Sequence, residues 1–138
     1  MCGLGLLWSY DAECARKALA QRPYFLAVVR GHTGWGLDDL AAKLIYTELI
    51  GNVVRHAPGG VKVRLRCDGR SVLLDVSDYG SGFKLKPHLP QALAESGRGL
   101  FLVSQFATRM WVEANANGGA KVIAELPRAR YSGASAVD

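Results

Sequence analysis

The feature that most narrows the fold is a pair of strands written into residues 61–77. In Val61–Cys67 the apolar residues Val61, Val63, Leu65 and Cys67 alternate with Lys62, Arg64 and Arg66. Period-two alternation makes one apolar face and one wet face. The link Cys67-Asp68-Gly69-Arg70 carries an Asp-Gly hairpin signal and leads into a second strand, Ser71–Ser77. A chain built around such a hairpin must cover one side of a sheet and can leave the other to water.

The remaining segments supply that cover. Residues 4–10 (LGLLWSY) read as a first strand, and Asp11 is placed to cap a helix from about Ala12. Pro23 interrupts this helix, leaving Tyr24–Arg30 as a second helical piece, a kinked continuation or a short strand. Asp38 or Asp39 opens a strong helix running to about Ala57, where Pro58-Gly59-Gly60 ends it. After the hairpin come a Gly-rich turn, an irregular segment 83–96 with two prolines, a helix Leu100–Ala107, and two strands, Met110–Ala114 and Ala120–Leu126. This order predicts an α+β two-layer sandwich, with helices on one face of a mixed, mostly antiparallel sheet. Residues 1–127 read as one domain and 128–138 as a disordered tail.

Composition removes several function classes. The 138 residues are 49% hydrophobic and 21% charged, a globular balance. No uncharged apolar run approaches the roughly 18 residues of a membrane span. Three cysteines without a CxxC pair argue against a disulfide framework or a zinc site and fit a reducing cytoplasm. The net charge of +5 is diffuse, which reads as solvated surface with no direct nucleic-acid contact.

Three motifs carry chemistry. On the helix 38–57, at about 100° per residue, Leu40, Ala41, Leu44, Ile45 and Leu49 form an apolar stripe into which Glu48, Asn52 and Arg55 intrude. Buried polar groups need partners. Either Glu48 pairs with Arg55 while Asn52 caps a carbonyl, or the three face a cavity or ligand. Next, Asp78-Tyr79-Gly80-Ser81-Gly82 stands at a strand end. Its glycines permit positive φ and close backbone approach, and Asp78 offers an acceptor suited to a planar amine; an ordinary Asx-turn exit fits as well. Last, Gly97-Arg98-Gly99-Leu100 opens a helix. Free N–H groups there suit an anion, and a plain loop-to-helix join would look the same. No GxxxxGK(S/T) loop occurs.

In their order and spacing, ELIGNVVRHAPGG (48–60), VSDYGSGF (76–83), SGRGLFLVSQFA (96–107) and GGAKVIAELP (118–127) resemble the histidine-kinase-like ATPase superfamily, especially its small anti-sigma-factor kinases. The resemblance covers roughly residues 4–127 and implies a Bergerat-type ATP-binding fold. It implies Glu48 as general base, Asn52 as the ligand of a phosphate-bridging Mg2+, and Arg55 turned toward the phosphates. Asp78 would read the adenine amine over a floor shaped by Gly80 and Gly82. Gly97, Arg98, Gly99 and Leu100 would meet phosphate at the end of a short lid, 83–96. Many relatives carry threonine after the late Gly-Gly, and this chain has Ala120.

The activity so implied is a serine/threonine protein kinase that transfers the γ-phosphate of ATP to an antagonist protein, with a sigma factor as a second partner and a homodimer as the family expectation. No H-E-x-x-x-P-like phosphoacceptor occurs in these residues. Two alternatives stay open: a detached catalytic module phosphorylating histidine on another protein, and a nucleotide-responsive binding module without turnover.

Overall fold

A computed structural model of the protein describes residues 5–31, 36–56, 59–79, 99–115 and 119–129. Five strands form one sheet: β1 (Gly5–Ala12), β2 (Val61–Cys67), β3 (Val72–Asp78), β4 (Arg109–Ala114) and β5 (Ala120–Glu125), in the spatial order β1-β2-β3-β5-β4. Every pairing is antiparallel, which sharpens the expectation of a mixed sheet. β3 and β4 point the same way, but β5 lies between them, so the one long connection joins strands that are not neighbours.

The hairpin signal is realised with β3 starting one residue later than expected. Asp68 Oδ1 accepts hydrogen bonds from the N–H groups of Arg70 (3.0 Å) and Ser71 (2.8 Å), and Gly69 sits at φ +99°. That is the Asx-turn geometry that Asp-Gly favours. β2 and β3 then pair with Leu65 opposite Leu74 and Val63 opposite Val76, setting four apolar side chains on the helix-facing side.

Among the described residues four helices cover that side: α1 (Ala15–Ala20), α2 (Arg22–Gly31), α3 (Asp39–His56) and α4 (Gly99–Phe106). Pro23 lies in the first turn of α2, where its missing N–H breaks no bond, so Tyr24–Arg30 is helical. α3 is capped by Asp38, whose Oδ1 accepts from Ala41 N–H at 3.0 Å. The core centres on Phe25, Tyr46, Ile45, Leu49 and Ile50 packed over Val61, Val63, Leu65 and Leu74. The Phe25 and Tyr46 rings stack at 4.5 Å between centroids, and the buried Tyr46 hydroxyl donates to Ala18 O at 2.6 Å.

Two expectations are corrected. Leu40 was placed in the buried stripe of α3, yet it is 76% exposed. The buried line of the helix runs through Ala42, Tyr46, Leu49, Ile50 and Val53, and Leu40 falls nearly opposite it at about 100° per residue. Arg128 bridges to Leu37 and Ala129 N–H donates to Gly36 O, and the rest of the expected tail, 130–138, lies outside the described residues. The cysteine count argues against a disulfide framework, yet Cys67 is disulfide-bonded, while Cys14 is free. Among the described residues no helix is long and apolar enough to cross a membrane.

Candidate functional site

The site is built from the side of α3 that does not face the sheet. Starting from the buried line of Ala42, Leu49 and Val53, Asn52, Glu48 and Arg55 lie progressively further round the helix at about 100° per residue. They thus occupy the flank of the apolar face and not its middle. The group on the far side of that flank is α4, which packs against α3.

Gly99, the first residue of α4, shows how closely the two helices meet. A Cβ built on it would stand 3.0 Å from Glu48 Oε1 and 3.0 Å from Arg55 Nη2. Ordinary side chains do not approach so tightly, so glycine is what lets both charged groups reach the first turn of α4. Arg55 folds back along its own helix to do this, with Nη1 only 3.4 Å from where a Gly51 Cβ would sit. The two charged groups converge without closing on each other: no ion pair or hydrogen bond joins Glu48 to Arg55. The self-pairing alternative therefore fails for this pair.

Asn52 is 3% exposed, and its Oδ1 has no hydrogen-bond partner. A buried acceptor left unmade costs about 1–3 kcal/mol. A hard oxygen donor of this kind suits Mg2+, which takes one or two protein ligands and completes its shell with water and phosphate oxygens. Beside these groups, the N-terminus of α4 presents N–H groups with no intrahelical acceptor, and the helix dipole favours negative charge there. Leu100 contributes only this backbone, because its side chain is fully buried in the core.

Asp78 is held apart from this trio, at the end of β3. It is 3% exposed and shares the helix-facing side of the strand with Val72, Leu74 and Val76. Its Oδ2 accepts from Ala120 N–H at 3.2 Å, and its backbone O accepts from Asn115 Nδ2 at 3.3 Å. The next residue, Tyr79, donates its hydroxyl to Asp11 Oδ1 in β1, an attachment that raises the phenol's pKa, with partial burial adding to it. The ring lies on Gly60, where a Cβ would stand 2.3 Å from Cδ2.

The structure thus brings Glu48, Arg55 and Gly99 into contact, sets Asn52 one turn along the same helix from Glu48, and fixes Asp78 at a strand end. Gly80, Gly82, Gly97 and Arg98 lie outside the described residues. Sequence reasoning missed the supports of Asp78. Asn115 reads there as turn filler and Gly60 as a helix stop, and only tertiary contact gives them their parts.

A model of the histidine kinase-like ATPase domain matches residues 14–126. No curated protein is detectably related in sequence. Among solved structures, the catalytic domain of the histidine kinase ThkA in a nucleotide-free form is similar in fold. The TM-score is 0.54 at 14% identity, over 88% of this chain and 97% of that one.

Proposed function

This chain belongs to the histidine kinase-like ATPase domain family, and from that premise we propose that it is an ATP-binding protein kinase of the anti-sigma-factor type. It transfers the γ-phosphoryl group of ATP to a serine or threonine of an antagonist protein, within a cytoplasmic partner-switching system that includes a sigma factor.

One observation carries the reading. Glu48 and Arg55 converge on Gly99 at the start of α4 with no ion pair between them, and Asn52, one turn along α3 from Glu48, keeps a buried Oδ1 without a donor. When bound, Mg2+ neutralises charge on the phosphoryl group. Asn52 Oδ1 is the group that would hold it. The carboxylate of Glu48 takes the proton of the incoming hydroxyl as the new P–O bond forms and ADP leaves. The Arg55 guanidinium and the α4 N–H groups offset phosphate charge, while Asp78 accepts a hydrogen bond from the adenine amine.

A second reading is favoured by the similarity to a histidine kinase catalytic domain: a module that phosphorylates histidine on another protein. Labelled ATP with Mg2+ and candidate protein substrates separates the two. Acid-stable label on serine or threonine is the expected result, and acid-labile label would transfer the assignment to histidine. Label on neither, with nucleotide still bound, would leave a binding module. A thermal-shift series with ATP or ADP, with and without Mg2+, tests the premise of binding itself. The melting temperature should rise with ligand concentration, and most with the metal present.

A further inference from the structure

Asn115 has so far figured only as a neighbour of Asp78. Its contacts make it more than that. Its Nδ2 donates to the backbone carbonyl of Asp78 at 3.3 Å, and its own N–H donates to Gly119 O at 2.8 Å, closing the turn between β4 and β5. Gly119 leads directly into Ala120, whose N–H donates to Asp78 Oδ2 at 3.2 Å. A single turn thereby grips the main chain of Asp78 through one end and its carboxylate through the other.

The register shows why this grip is needed. β3 and β5 pair from Leu73 opposite Glu125 to Ser77 opposite Lys121, and there the ladder stops. Asp78 comes one step later, past the last rung on the β5 side, while on its other side it pairs with Val61 of β2. The Ala120 N–H is spent on the Asp78 side chain instead. Ala120 offers its main-chain N–H to that carboxylate, and Asn115 holds the carbonyl of the same residue.

We propose that Asn115 is a positioning residue for base selection. It holds the turn against the end of β3, so that the Asp78 carboxylate keeps one direction and favours a purine presenting an exocyclic amine there. A purine presenting a carbonyl at the same place meets an acceptor with an acceptor and is rejected. If Asp78 were free to swing, it could find the amine that guanine carries elsewhere on its ring, and discrimination would fall. This rests on the nucleotide reading of Asp78 given above.

The test uses the whole chain and two variants: Asn115→Ala, and Asn115→Asp, which keeps the shape but cannot donate. In the nucleotide-free protein, amide hydrogen exchange at Ala120 should quicken at least tenfold in both. Titration calorimetry with ATP and GTP in Mg2+ should show the wild-type preference for ATP shrinking about tenfold in both variants, with the Mg2+ dependence of ATP binding unchanged. Equal loss of ATP and GTP affinity would make Asn115 a purely structural turn residue and overturn the proposal. So would unchanged protection at Ala120, whatever the nucleotides do. A wild-type protein that binds neither nucleotide would instead sink the reading of the site, a result distinguishable from either.

Discussion

The outer face of the sheet and the α3–α4 junction treat charge in opposite ways. On the outer face, fully buried Asp75 is shared by Arg64 (3.1 Å) and Arg66 (2.9 Å) across two strands. Beside it Arg109 pairs with Glu125 at 2.7 Å and lies over the Trp111 ring, while Glu113 accepts from Trp111 Nε1 and faces Lys121 at 3.6 Å. Each of these carboxylates has a partner within the chain. At the junction, Glu48 and Arg55 approach the same glycine unpaired, and Asn52 keeps a buried oxygen without a donor. The first surface is closed chemistry that serves stability. At the second, the burial cost falls on Asn52 alone, because Arg55 is exposed and Glu48 half-buried.

That contrast can be broken at four points. The largest effect is expected at Glu48→Gln: phosphoryl transfer should fall about 10²–10⁴-fold, the scale of a lost general base, with ATP affinity retained. Single-turnover assays beside calorimetry would measure both, and full activity would remove Glu48 from the chemistry. Asp75→Ala should do the reverse, lowering unfolding free energy by about 2–4 kcal/mol in urea melts, because two guanidinium groups lose one buried partner. Nucleotide affinity of the folded fraction should stay the same. Asn52→Leu, close in volume, should leave stability unchanged or raise it by about 1 kcal/mol, since it removes an orphaned acceptor, and should abolish the Mg2+ dependence of binding. A clear loss of stability would mean that Asn52 has a structural partner after all. The smallest effect belongs to the exposed Arg30–Asp39 pair at 2.8 Å. The hydrogen bond from Arg30 holds the Asp39 carboxyl below its ordinary range. Its contribution is therefore present above the unfolded pKa of about 3.9 and fades as pH falls through the lower folded value. Solvent screening limits this to a few tenths of a kcal/mol, so acid melts of wild type and Asp39→Asn should nearly superimpose.

Much of this architecture was readable from the residues. Alternation in β2, the Asp-Gly turn and the Asp38 cap are local signals, and local geometry decided them. Glu48, Asn52 and Arg55 were visible as polar intruders on an apolar helix. Asn52, read between Ala41 and Ile45, is buried as they are, whereas Leu40 is exposed and the buried line extends to Tyr46, Ile50 and Val53, leaving Glu48 and Arg55 at its edge. A helix has more than one candidate face, and its partner chooses between them. The supports of Asp78 were not readable at all. Asn115 and Ala120 stand 37 and 42 residues away, and a turn residue does not announce a contact of that range.

The ring of Tyr79 lying on Gly60, with its hydroxyl fastened to Asp11, has a mechanical consequence. Three strand ends are bolted at a single joint, one residue from the carboxylate assigned to adenine. Any side chain introduced at position 60 must first evict that ring, and the slack so created would travel along the backbone to Asp78. Position 60 is thus part of the frame that holds Asp78, although it lies in a different strand connection.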